Sequence, residues 1–177
     1  MAAVRFCSHC GSSLAARPPT KCGRCGVEHW RNAKPAAGAL VQDDRGRLLL
    51  VRRGRPPWVG FWDLPGGFCD HDEAPEETAR REVAEEVGAA IEIVGILGLW
   101  LDRYDPEEPD EDAMWCLNVY YFARLTADAT VNATPTDHGA EVSDIAWFFP
   151  EELPRQIAFP DHAAEVLSAW QQRQRGS

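Results

Sequence analysis

The stretch Gly67-Phe68-Cys69-Asp70-His71-Asp72-Glu73-Ala74-Pro75-Glu76-Glu77-Thr78-Ala79-Arg80-Arg81-Glu82-Val83-Ala84-Glu85-Glu86-Val87-Gly88-Ala89 divides into a glycine-led loop and a helix. Pro75 suits the first helical turn, and Glu76 and Glu77 suit the positive end of the helix dipole. Gly88 stops the helix, so the pattern predicts a helix over 75–87. At about 100° per residue from Glu82, Glu86 lies at about 40° and Glu85 at about −60°, so three carboxylates share one arc. Ala79, Val83 and Val87 form an apolar stripe beside them. The helix therefore buries one flank and carries three acids along its edge. On a fully solvated face such a triad costs only a few tenths of a kcal/mol and signifies little. If partly buried, two carboxylates about 4 Å apart repel by about 4 kcal/mol at an effective dielectric of about 20. They then call for a cation or a shared proton.

The spacing of the whole stretch carries more information. Gly67, five residues, Glu73, seven residues, then Arg81-Glu82-Val83-Ala84-Glu85-Glu86-Val87-Gly88-Ala89 resembles the Nudix box, G-x5-E-x7-R-E-U-x-E-E-x-G-U, with Ala89 a small version of the final aliphatic. The preceding Leu64-Pro65-Gly66 is similar to the family as well, while Asp70 stands where many members carry glutamate. The resemblance implies hydrolysis of a nucleoside diphosphate linked to a further moiety, X. It implies that Glu82, Glu85, Glu86 and the carbonyl of Gly66 hold magnesium or manganese, hard cations that prefer oxygen ligands. Glu73 and Arg81 are then the pair that braces loop against helix. The catalytic set implied is Glu82, Glu86 and Glu141. Glu141 is the positional match to a glutamate that serves as general base in other members, and Glu82 stays open as the alternative base.

Four of the six cysteines form two pairs, Cys7-Ser8-His9-Cys10 and Cys22-Gly23-Arg24-Cys25, each followed by a glycine. A two-residue gap lets both thiolates point at one ion, and the glycine permits the tight turn around the sulfur. Disulfides are disfavoured without a secretory signal, and a redox motif needs a single pair. The pairs read as a closed, structural zinc site of Cys7, Cys10, Cys22 and Cys25, which holds together a segment too short to bury a core. Cys69 and Cys116, unpaired by spacing, read as small apolar residues. A ribbon joined to the box domain through Trp30-Arg31-Asn32-Ala33-Lys34-Pro35 resembles the zinc-ribbon Nudix hydrolases, a group that includes enzymes acting on NADH, FAD and ADP-ribose.

Around the box the chain reads as short strands at 36–41 and 47–51, joined as a hairpin at Asp43-Asp44-Arg45-Gly46. Longer strands are expected at 91–101, 114–125 and 141–149, and a last helix at about 161–172. The segments 102–112, strongly acidic, and 127–139 read as loops. Strands, helix, strands, helix indicate α+β or an α/β/α sandwich with a mixed sheet; the resemblance implies an α+β fold of the Nudix α/β/α sandwich type, preceded by a small zinc ribbon. The domain division expected is 1–33 for the ribbon and 34–177 for the hydrolase. The 177 residues carry a net charge of −10, yet residues 1–34 hold six basic residues against Glu28 alone. An acidic chain is a poor general binder of nucleic acid, and the resemblance implies a small nucleotide as partner. No apolar run spans a bilayer or makes a signal sequence, so a cytoplasmic protein without a membrane partner is expected. A homodimer is left open.

On the substrate side, Arg52 and Arg53 end a strand, with Arg53 a candidate phosphate contact. Trp58 sits in a proline-rich loop and offers a surface for a base. His138 has the intrinsic pKa of a base. The NADH-specific members carry Ser-Gln-Pro-Trp-Pro-Phe-Pro after the box. This chain has Gly98-Leu99-Trp100-Leu101-Asp102-Arg103-Tyr104-Asp105-Pro106 instead, which lowers NADH within the expected set of ADP-ribose, FAD and NADH. The alternative reading is a regulator whose basic ribbon reads nucleic acid and whose Nudix domain senses a ligand, with RNA-cap hydrolysis as an intermediate form.

Overall fold

The computed structural model describes residues 5–104, 113–131 and 141–175. Contacts divide the chain into two units. One holds the described residues of Met1–Lys34 and Arg103–Cys116, the other those of Pro35–Asp102 and Leu117–Ser177.

In the first unit the two cysteine pairs fold alike. The N–H of Gly11 donates to the Cys7 carbonyl and that of Gly26 to the Cys22 carbonyl, both at 2.9 Å. The N–H groups of Cys7 and Cys22 donate to the carbonyls of Ser12 and Val27, both at 2.8 Å. Gly11 and Gly26 have φ of 69° and 76°, a turn that a side chain would strain. Strands β1 (Thr20–Lys21) and β2 (Glu28–His29) pair antiparallel around the second pair.

The second unit contains β3 (Lys34–Val41), β4 (Leu48–Arg53), β5 (Trp62–Asp63), β6 (Gly66–Phe68), α1 (Pro75–Val87), β7 (Ile91–Tyr104), β8 (Met114–Leu125), β9 (Val142–Phe148) and α2 (Pro160–Arg175), with the ends of β3, β7 and β8 running into the first. Two sheets have the orders β6-β3-β8-β7 and β5-β4-β9. The expected hairpin is a point of departure. The Asp43 carboxylate accepts the N–H groups of Arg45 (3.0 Å) and Arg47 (2.8 Å), making the turn. Its strands, however, meet only at the Gln42–Leu48 bridge and continue in different sheets. Both strands are buried on both faces, so each needs cover above and below rather than a partner on one side.

That cover is two apolar clusters. On one face Val83 and Val87 of α1 pack with Ala39, Val41, Leu49, Val51, Ile91 and Ile145. On the other Val166 and Trp170 of α2 pack with Leu40, Leu48, Leu50, Leu64 and Tyr120. The alternation along β3 and β4 thus serves a helix on each side, the expected sandwich. Among the described residues, no helix is long and apolar enough to cross a membrane.

Candidate active site

Helix α1 starts with Pro75, and the Ala74 N–H donates to the Glu77 carboxylate at 2.9 Å, half of a capping box. It ends at left-handed Gly88, φ 69°. These ends set the phase that buries Ala79, Val83 and Val87 and leaves Glu82, Glu85 and Glu86 along one edge.

Strand β6 brings the glycines to that edge. Gly66 pairs with Gly38 of β3. A Cβ on Gly66 would meet the Ala37 carbonyl oxygen at 2.5 Å and the Gly38 Cα at 2.6 Å, so the backbones approach as only glycine allows. A Cβ on Gly67 would lie 2.6 Å from the Glu82 carboxyl carbon. The Gly66 N–H donates to Glu86 Oε2 at 3.0 Å, tying the loop to the helix. Strand β6 was read from sequence as loop, because Gly-Gly-Phe carries turn chemistry rather than a strand pattern.

Arg81 organises the acids. Its Nε and Nη2 donate to the two oxygens of Glu73, both at 2.9 Å, a bidentate pair. Its Nη1 donates to Glu82 Oε1 (2.9 Å) and Glu85 Oε2 (3.0 Å), and Nη2 also to the Phe68 carbonyl (3.1 Å). The buried Thr78 hydroxyl donates to Glu73 at 2.7 Å. The Arg81 hydrogen bond holds Glu73 down at about 2, with Thr78 adding to it. The bond to Glu73 in turn raises Arg81 above its ordinary value. Burial raises Glu82, with Glu85 and Glu141 adding and Arg81 opposing. Burial pushes Glu86 well above the usual carboxylate range. Glu82, Asp63 and Glu141 add to that, and only the Gly66 N–H pulls against it. Carboxylates whose charge is penalised by burial and by each other form a hard-oxygen donor set that fits a magnesium- or manganese-sized cation. Among the described residues, no three of these acids bring ligand atoms within 4.8 Å of one another, as the four cysteines do.

Glu141 is exposed just before β9. Its carbonyl accepts the Gly54 N–H at 2.8 Å, and its carboxylate lies 3.8 Å from Arg55. Arg53 donates through Nε to the Pro57 carbonyl (2.8 Å) and through Nη1 to Asp63 (2.9 Å). Trp58 is 39% exposed and packs against Phe61. His138 and most of the acidic segment, 105–112, lie outside the described residues. Cys116 is buried and Cys69 half-buried. Sequence reading missed Phe159, His162, Asp102 and Tyr120, which the fold brings together on the α2 side. The one local signal was Pro160, a helix-start residue that marks its predecessor as a boundary.

In the first unit the ligand atoms of Cys7, Cys10, Cys22 and Cys25 all lie within 4.8 Å of one another. The Ser12 hydroxyl lies 3.1 Å from Cys10 Sγ and 3.3 Å from Cys22 Sγ, and it lowers both thiols, Cys22 to about 5. The Val27 N–H favours the Cys25 thiolate, but burial and the three other cysteines push Cys25 up to about 12. Four converging sulfurs that cannot all ionise beside each other fit a soft, tetrahedrally bound divalent cation such as zinc.

A sandwich of two helices over strands, with a glycine strand tied to an acid-edged helix, is the Nudix fold. The NUDIX domain model matches residues 32–170, and the chain belongs to the Nudix family. A solved NUDIX hydrolase from Nitrosomonas europaea superposes with a TM-score of 0.74 at 25% identity, covering 98% of this chain and 94% of that one. An RNA pyrophosphohydrolase from Erythrobacter litoralis is 27% identical over 70% of this chain and 80% of its own length. An NAD-capped RNA hydrolase, NudC, from Stutzerimonas stutzeri is 37% identical over 49% of this chain, which spans only 32% of that relative. With hydrolases among its relatives, the chain is a Nudix diphosphatase.

Proposed function

We propose that this enzyme cleaves the diphosphate of a nucleoside diphosphate linked to X, with ADP-ribose or a dinucleotide such as FAD or NADH as substrate. The observation that carries the reading is the ring of acids around Arg81 at the foot of β6, held in register by the Gly66–Glu86 hydrogen bond. Glu82, Glu85, Glu86 and the Gly66 carbonyl are the residues to hold magnesium or manganese, which when bound neutralises the diphosphate and polarises it toward attack. Glu141 takes the proton of the attacking water as one phosphorus–oxygen bond forms and the bridging one breaks, leaving a nucleoside monophosphate and the phosphate of X. Glu82 is the competing base. Glu73 and Arg81 brace the loop, Arg53 is the phosphate contact, and Trp58 offers a surface to the base. Residues 1–33 form a structural zinc ribbon through Cys7, Cys10, Cys22 and Cys25, and 34–177 the catalytic domain.

A second reading, hydrolysis at the 5′ end of a capped RNA, is favoured by the likeness to proteins named as RNA pyrophosphohydrolase and NAD-capped RNA hydrolase. The test is a panel of ADP-ribose, FAD, NADH and a short 5′-NAD-capped RNA with magnesium or manganese, reading nucleoside monophosphate release. Turnover of the free dinucleotides or ADP-ribose supports the first reading. Turnover confined to the capped RNA replaces it with the second, and no metal-dependent release from any member refutes both.

A further inference from the structure

Two non-glycine residues of the described chain hold a left-handed backbone, Trp58 at φ 65° and Phe159 at φ 51°. Bulky side chains are strained there and persist only where the surroundings over-determine them. The two lie far apart in sequence, yet their rings meet edge to face, 6.4 Å between centroids at 67°. Trp58 also meets Phe61 edge to face at 5.2 Å, yet keeps 39% of its surface exposed.

The Phe159 ring is fixed from several directions. The Arg53 guanidinium lies 5.0 Å from its centroid and is itself held by Asp63 and the Pro57 carbonyl. His162 stacks on it at 5.8 Å and is locked at both ring nitrogens, by Asp102 at 2.7 Å and the Tyr120 hydroxyl at 3.0 Å. The pair is joined to the acid site along the chain at two points. Asp63 sits three residues before Gly66, and the loop bearing Trp58 begins at Gly54, whose N–H donates to the Glu141 carbonyl.

We propose that Trp58 and Phe159 form the recognition corner for the planar heteroaromatic base of the substrate, with Arg53 and His162 as positioning residues acting through the Phe159 ring. The proposal rests on the nucleotide-hydrolase reading above. A base stacks on aromatic faces whatever its exocyclic groups, and a neighbouring guanidinium adds cation–π attraction. The strain keeps an exposed tryptophan pre-set instead of collapsed against the body.

The test compares binding of AMP and of ribose 5-phosphate, which has the phosphate and sugar without the base, by calorimetry on the full chain with magnesium. Wild type is expected to bind AMP at least tenfold more tightly than ribose 5-phosphate. Trp58→Gly and Phe159→Leu are expected to weaken AMP about tenfold and leave ribose 5-phosphate within twofold. Trp58→Phe restores most of the affinity. Trp58→Gly relieves the left-handed backbone but loses the ring contacts with Phe61 and Phe159, so its melting temperature is read beside binding. His162→Asn is expected to raise KM without lowering kcat. The proposal is overturned if wild type shows no preference for AMP, if AMP binding stays within twofold in both variants, or if both probes weaken together while melting falls. Base-selective binding without turnover on any panel member refutes the hydrolase reading alone. Normal turnover with unchanged AMP affinity in the variants refutes the corner alone.

Discussion

Replacing Glu86 by glutamine should move turnover and stability in opposite directions. The Glu86 carboxylate is taken out of water, faces Glu82, Asp63 and Glu141, and receives the Gly66 N–H. A glutamine Oε1 accepts that bond equally well, so the variant loses the charge and keeps the shape. Burying a poorly compensated ion costs several kcal/mol before relaxation, so relief of about 1–3 kcal/mol is expected in magnesium-free protein. In a chain of this size that is about 3–10 °C in melting temperature. The pH dependence has a definite sign. Glu86 is raised in the folded state, so the folded protein holds the proton more tightly than the unfolded one. The Glu86 contribution to wild-type stability without magnesium is therefore fully present below the ordinary carboxylate value of about 4.3 and is lost as pH rises from there toward the raised value, opposite in sign to that of Glu73. In Glu86→Gln that loss is smaller, with Glu82 left to contribute. Turnover should drop at least ten- to a hundredfold, the scale at which altered metal-site groups act. The assay is thermal melting across pH in buffer stripped of divalent ions by resin, since a strong chelator would also attack the cysteine site. A variant no more stable than wild type in that buffer, or one with near-normal turnover at saturating magnesium, would refute the reasoning.

Glu141→Gln should lower kcat strongly with little change in KM, whereas the Glu82→Gln loss should be partly rescued by high magnesium; the reverse pattern moves the base to the helix. Gly66→Ala should destabilise by about 2–4 kcal/mol in urea melts, because its Cβ strikes backbone, while Gly67→Ala should mainly cost activity, because its Cβ strikes the Glu82 side chain. Arg81→Lys loses the bidentate bond to Glu73 and should cost about 1–2 kcal/mol, moderated by the partial exposure of the pair. Glu73 is depressed to about 2, so its contribution is full above the ordinary carboxylate value and fades as pH falls toward 2; acid titration of melting should show that fade in wild type and less of it in the variant. Removing zinc should unfold the ribbon, read by loss of amide protection over 5–34, with a smaller effect on magnesium-saturated turnover of the protein that stays folded.

The box helix was legible because its ends and its period are local. Pro75, Gly88 and the Ala79-Val83-Val87 stripe need no distant partner to be read. The cysteine turns were legible for the same reason. The splitting of 34–41 and 48–53 between two sheets was not, because the Asp43 turn looks the same whether its strands stay paired or diverge. Strand β6 was hidden by its glycines, which signal a turn but here permit backbone contact with Gly38. The Asp102–His162–Tyr120 cluster joins three elements that no spacing rule connects. Left-handed backbone at Trp58 and Phe159 leaves no mark in residue type, since bulky aromatics are the residues least expected to adopt it.

Arg81 makes the acidic corner a place of ion exchange. Its Nη1 already bridges Glu82 and Glu85. A divalent ion held by Glu82 and Glu85 would displace a resident counter-charge instead of meeting bare carboxylates. Valence then decides occupancy. A sodium or potassium ion brings no more charge than the guanidinium and none of its directional bonds, so only a doubly charged ion gains by the swap. The two bonds of Arg81 to Glu73, which involve neither of those acids, would keep it tethered while the ion is bound. Arg81 thus screens Glu82 and Glu85 while the corner is empty, and Glu86, beyond its reach, keeps the repulsion of its neighbours.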